Sequence, residues 1–123
     1  MINEIYGAKA LVYLKYDGDI EALVEKLSKS LSIPDFWIDT REESPHELIG
    51  LCENFGFEGW LETSEKVEGF AYSFKMETED SFDEIHTGKM HDLSLWFARF
   101  IFNVCKIETF VPGSVGEEGV LFS

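Results

Sequence analysis

Bases are scarce in this chain. Ten Lys and Arg stand against 24 Asp and Glu, a formal net charge of −14 over 123 residues. That deficit argues against a nucleic-acid or phosphate-binding surface, since both require positive potential. Cysteine is nearly absent as well. Cys52 and Cys105 are far apart, show no metal or redox spacing and sit among apolar neighbours, which points to buried thiols in a reducing, cytoplasmic setting. Long apolar runs are missing: the longest, around Leu93–Val104, is interrupted by Ser94, Arg99 and Asn103, so no membrane-spanning helix is expected. Lys9 and Lys15 break the first hydrophobic segment, and no secretory signal is expected either.

Hydrophobic residues are plentiful, at 45% of the chain with 15% aromatic, including eleven Phe. Disorder requires low hydrophobicity along with high charge, so the chain should fold, and its length suits one domain with one core. The charge is also segregated. Fifteen acids and three bases lie between Asp35 and Glu84, a net −12 in fifty residues, while the flanking segments are nearly balanced.

Alternation over Ala8–Tyr16 predicts a first strand. Asp17-Gly18-Asp19 supplies a turn and an N-cap for a helix over Ile20–Leu31, whose Ile20, Leu23, Val24, Leu27 and Leu31 form one apolar stripe. Phe36–Asp39 reads as a short strand. Ser44-Pro45-His46-Glu47 has the form of a capping box with proline at the first helical position. With Leu48, Leu51, Cys52 and Phe55 at helical spacing it predicts a helix over 45–54, although Ile49–Cys52 would also suit an extended strand. Phe57–Thr63 and Glu68–Glu77 resemble the arms of a hairpin turning at Ser64-Glu65-Lys66, with Phe70, Tyr72, Phe74 and Met76 in strict alternation.

Thr78–Met90 reads as a polar loop. Asp92 then caps a helix over Leu93–Cys105 that is apolar nearly all round and therefore expected to be buried on most sides. Ile107–Val111 closes as a strand before Pro112-Gly113. The expectation is a single α+β domain over residues 1–111 in the order β-α-β-α-β-β-α-β. Its sheet is mixed or mostly antiparallel, with the helices on one face, and 112–123 form a flexible, Gly-rich acidic tail.

Catalytic constellations are weak. His86 and His91 lie near Asp83, Glu84 and Asp92, but their i, i+5 spacing matches no ligand motif. His46 sits at the second position of its predicted helix and is a poorer candidate still. Glu58 and Glu62 share a strand face, yet in so acidic a segment such pairs carry little information about hydrolysis. Both thiols fall on apolar helix positions, where reactivity is suppressed. Thr87-Gly88-Lys89 echoes the end of a phosphate loop, but Asp83 occupies the place of the upstream glycine. Neither an enzyme nor a metal or cofactor site is expected.

The acid itself is the feature left to explain. The leading expectation is a non-enzymatic protein that occupies a basic site on another protein. Its most concrete form is a bacterial, cytoplasmic inhibitor or immunity protein that neutralises a nuclease-type toxin, an antitoxin by class analogy. The residues expected to meet the partner are Asp35, Trp37, Asp39, Glu42 and Glu43, then Asp80, Asp83 and Glu84, carboxylates standing in for phosphates against Arg and Lys. Trp37 is an aromatic anchor among them. One alternative is a small-ligand-binding or enzymatic domain with a pocket between helix 93–105 and the hairpin, its polar groups drawn from Tyr72, His86, His91 and Arg99. A second is a structural subunit that self-associates as a homodimer through a sheet edge or the tail Val120–Phe122.

Overall fold

The computed structural model describes residues 7–42, 47–54, 56–78, 90–113 and 116–123. Its elements run β1 (Gly7–Leu14), α1 (Ile20–Ser30), β2 (Phe36–Thr40), β3 (Leu48–Asn54), β4 (Phe57–Val67), β5 (Phe70–Thr78), β6 (Met90–Asp92), α2 (Ser94–Cys105), β7 (Thr109–Val111) and β8 (Val120–Phe122). The eight strands form one open sheet in the order β2-β3-β4-β5-β1-β7-β8, with β6 beside the start of β1. The β1–β6 pairing is parallel and every other pairing is antiparallel. This is a single α+β domain.

Local chemistry sets the ends of the first helix. The Asp19 carboxylate accepts from the Ala22 amide at 2.8 Å, as its capping role requires. Ile20, Leu23, Val24 and Leu27 are the buried stripe. Beneath them run the alternate residues of the strands: Ala10, Val12 and Leu14 on β1, Leu61 on β4, and Tyr72 and Phe74 on β5. Fully burying a large aliphatic side chain stabilises by roughly 1.5–3 kcal/mol, so this layer carries the fold. Both helices pack on that face. Phe97 of α2 stands 5.4 Å from Phe74, ring centroid to centroid, and the Thr109 hydroxyl donates to the Ala98 carbonyl at 2.9 Å. At Gly50 an added Cβ would lie 2.8 Å from Val24 Cγ2, so α1 rests almost on the backbone of β3.

Two expectations change here. The helix over 45–54 is not formed: Leu48–Asn54 is β3, paired with β2 and β4, and the described residues hold two helices, not three. Tertiary pairing overrides the helical spacing of Leu48, Leu51 and Cys52, because Gly50 and Cys52 alternate inward beneath α1 while Leu51 turns outward. The hairpin turns at Glu68-Gly69 rather than at Ser64–Lys66. Val67 pairs with Phe70, a register shift lies between Thr63 and Val67, and Gly69 takes φ +85°. Residues 44–46 of the expected capping box lie outside the described residues, as do residues 79–89 of the segment expected to be a polar loop, whose end residues Thr78 and Met90 belong to β5 and β6. Within the segment read as a tail, Val120–Phe122 form β8 against β7.

The second helix keeps its expected place but not its expected burial. Ser94, Phe97, Ala98, Ile101 and Cys105 are buried, whereas Leu95, Trp96, Phe100 and Val104 are exposed. Its N-cap residue is Leu93, which makes no side-chain cap bond; Asp92, expected to cap the helix, stands one residue earlier and accepts from the Ser94 amide at 2.9 Å. Lys106 closes it in the left-handed region at φ 59°.

Candidate functional site

Both helices cover one face of the sheet, and no described helix covers the other, which spans five strands and on which Tyr13 is nonetheless buried. Antiparallel registers place side chains on it in rows perpendicular to the strands. One row runs Trp37, Leu51, Trp60, Lys75, Leu11 from β2 to β1. The next, two residues along each strand, runs Glu53, Glu58, Glu77, Lys9 from β3 to β1. A third runs Asp39, Ile49 on β2 and β3, with Glu62, Ser73 and Tyr13 continuing it on β4, β5 and β1. An aromatic and aliphatic ridge is thus bordered on each side by carboxylates.

The middle of this face is a shallow concavity of about 770 Å³, lined among others by Lys9, Leu11, Tyr13, Trp60, Ser73 and Lys75. Four of its charges stand in ion pairs. Lys75 Nζ lies 3.3 Å from Glu77 and 5.6 Å from the Trp60 ring centroid, and Arg41 pairs with Glu62. The excess acid sits towards β2 and β3. Glu53 and Glu58 make no ion pair among the described residues, although they stand directly opposite one another. Like charges in direct cross-strand register are destabilising.

Of the residues expected to meet a partner, four are described. Trp37 and Asp39 lie on the open face of edge strand β2, and Trp37 is 43% exposed. Asp35 precedes that strand and Glu42 follows it, both exposed. Asp39 also accepts from the adjacent Thr40 amide at 2.8 Å. Glu43, Asp80, Asp83 and Glu84 lie outside the described residues. Sequence reasoning missed Glu53, Glu77, Lys75 and Leu51 as neighbours of Trp37 and Trp60. The alternation Ile49-Gly50-Leu51-Cys52 was the signal that could have found them, since extending it as a strand carries Leu51 and Glu53 to the open face.

The other candidates are placed as follows. His91 is exposed on β6 opposite Ala8, whereas His46 and His86 lie outside the described residues. No group of three or more His, Cys, Asp and Glu that could hold a metal ion occurs among the described residues. Burial, with the charge of Glu53 adding, pushes the Cys52 thiol up to about 12. Burial also raises Cys105, against smaller opposing contributions from Ser30 and Lys26. Tyr72 is raised first by burial, and its hydroxyl donates to the Gly18 carbonyl at 2.6 Å. The Ser94 side-chain hydrogen bond, with smaller help from its amide and from Lys9, holds Asp92 below the usual carboxylate range despite partial burial.

A hollow of about 250 Å³ does lie between α2 and the hairpin, bounded by Phe57, Met76, Leu93, Trp96, Phe97 and Phe100 among others. Its walls are apolar throughout, and neither Tyr72 nor His91 nor Arg99 lines it. No family model, curated protein or solved structure matches this chain.

Proposed function

We propose that this chain is a non-enzymatic binding protein whose open sheet face receives a basic element of a protein partner. The most concrete form is an inhibitor or immunity protein that occupies the basic site of a nuclease-type toxin. The observation that carries this reading is the sheet face that neither described helix covers. It sets the Trp37–Leu51–Trp60 ridge beside Glu53, Glu58 and Glu77 in direct cross-strand register. The arrangement costs stability in the free protein, and cations supplied by a partner would remove that cost while the tryptophans supply apolar contact area.

The spacing suggests the form of the partner's element. Adjacent strands lie about 4.7–4.9 Å apart, and one helical turn rises 5.4 Å. A helix laid across the strands, bearing Lys or Arg at i, i+4 and i+7, keeps step with the three glutamates. Its adjoining apolar stripe meets Trp37 and Trp60. Asp35, Asp39 and Glu42 border that ridge on the β2 side and add to the field that steers encounter.

Affinity capture from the lysate of the source organism tests this reading, using the wild-type chain and a Glu53→Gln/Glu58→Gln/Glu77→Gln variant in parallel. A basic protein retained by the wild type at low ionic strength, released at high salt and not retained by the variant is the expected result. Equal retention by both chains would remove the open face from the account. Absence of any basic protein at low salt would remove the function.

A further inference from the structure

Among the described strands the sheet ends at β2, and the register shows which of its backbone groups face outward. The Arg41 amide donates to the Glu47 carbonyl at 2.9 Å. Hydrogen-bonded and non-hydrogen-bonded pairs alternate along antiparallel strands, so Asp39–Ile49 and Trp37–Leu51 are the bonded pairs of β2 and β3. The amides and carbonyls of Phe36, Ile38 and Thr40 therefore point away from β3, where no described strand follows. One of them is already engaged, since the Thr40 amide donates to the Asp39 carboxylate at 2.8 Å. Asp39 is the one charge within Phe36–Thr40, and neither proline nor a register shift interrupts it. Such an edge is a template for another strand.

We propose that an extended basic segment of the protein partner adds to β2 as a further antiparallel strand. The inference rests on the basic-partner reading and deepens it, naming how a second segment of that partner is held beside the element on the open face. Charge selects the occupant. Asp35, Asp39 and Glu42 are exposed acids along this edge, and Arg41 is engaged by Glu62, so an acidic strand is repelled and Lys or Arg is drawn in. Backbone parity selects the pattern. Residues opposite Phe36 and Ile38 exchange backbone hydrogen bonds with β2, as β-strand addition requires. Residues opposite Trp37 and Asp39 place their side chains on the open face, with Cβ atoms about 4.5–5.5 Å away. A basic residue there meets Asp39, and an aromatic one meets Trp37 and lengthens the row Trp37, Leu51, Trp60 by one strand. The segment thus reads basic, any, aromatic, any, basic, with its second basic residue near Asp35.

The probe is a synthetic end-capped peptide carrying arginine, threonine, phenylalanine, threonine and arginine in that order, titrated into the isotope-labelled full chain at low salt. In the complex the outward amides of Phe36 and Ile38 should become protected from hydrogen exchange. The amides of Trp37 and Asp39, already bonded to β3, should keep the protection they have in the free chain. Methylating the backbone nitrogens of both threonines removes the two amides that face β2 and should weaken binding about tenfold or more. Methylating the phenylalanine nitrogen alone, which faces away, should leave the affinity within about twofold. Failure of the parent peptide to bind at millimolar concentration would overturn the proposal. Equal affinity of the parent and threonine-methylated peptides, or unchanged exchange at Phe36 and Ile38 in a saturated complex, would overturn the strand addition and leave the basic-partner reading in place. A peptide with glutamate for both arginines that binds as tightly as the parent would overturn the basic character of the occupant, and the basic-partner reading with it.

Discussion

Replacing Glu58 by glutamine should stabilise the isolated protein. Glu58 stands on β4 with Glu53 directly opposite on β3 and Glu77 directly opposite on β5. Cross-strand partners hold their Cβ atoms about 4.5–5.5 Å apart, and pairs at that distance contribute roughly 0.2–1 kcal/mol in either direction. Glu77 already has Lys75 at 3.3 Å and Lys9 in register on β1, which weakens its repulsion of Glu58. Glu53 is exposed and screened by water. Two reduced repulsions together give a gain of about 0.5–1 kcal/mol for Glu58→Gln, or a rise of about 2–6 °C in Tm for a domain of this size. Glu58→Lys turns both repulsions into attractions and should gain about twice as much. Urea unfolding, followed by tryptophan fluorescence at low salt and again near 1 M salt, measures both. Screening over about 3 Å at the higher ionic strength should remove most of the gain. A Glu58→Gln variant that is neutral or less stable at low salt would show that the glutamate row is not strained. The case for a cation that relieves it would then fall.

Other perturbations probe the packing and two groups whose titration the fold shifts, Cys52 and Asp92. Gly59→Ala should cost about 1–3 kcal/mol in urea unfolding, because the new methyl would overlap Cys52 Sγ and lie 2.6 Å from Met76 Sδ. Cys52 should not react with a disulfide reagent at neutral pH until the chain unfolds, since its thiol is buried and held near 12. Its folded-state value is raised, so the stability linked to it is fully present below the unfolded thiol's range and is lost as pH climbs towards 12. Asp92→Ala should remove the hydrogen bond from the Ser94 amide at the start of α2 and about 0.5–1 kcal/mol at neutral pH. The folded Asp92 is depressed, so its contribution is present above the ordinary carboxylate value and disappears as pH falls through the lowered one. Denaturation curves of wild type and variant should therefore converge in strong acid.

Elements whose signal is local were legible in the sequence. Asp19 with the stripe Ile20, Leu23, Val24, Leu27 specifies α1 without reference to the rest of the chain, and the alternation Tyr72, Phe74, Met76 does the same for β5. The segment 48–54 differs because its pattern suits two periods. Leu48, Leu51 and Cys52 fit a helix turn, Gly50 and Cys52 fit the inward side of a strand, and the choice is made by β2, β4 and α1 packing on it. The hairpin turn was misplaced because Ser64-Glu65-Lys66 is as polar as a turn, whereas Gly69 supplies the positive φ that the chain reversal uses. Composition alone also concealed the outward ridge of α2. A helix that is apolar all round is read as buried, and only the position of the sheet reveals which side faces water. Half of the candidate site was legible for the same reason: Trp37 and Asp39 were named from their own segment. Their neighbours Leu51, Glu53 and Glu77 arrive through long-range register.

Carboxyl footprinting with a water-soluble carbodiimide, applied to the chain alone and to its complex with the captured basic protein, tests the open face most directly. Protection of Glu53, Glu58 and Glu77 in the complex, with Glu21 and Glu25 of α1 labelled equally in both samples, is the expected result. Unchanged labelling of all three sheet glutamates in a complex that demonstrably forms would contradict it.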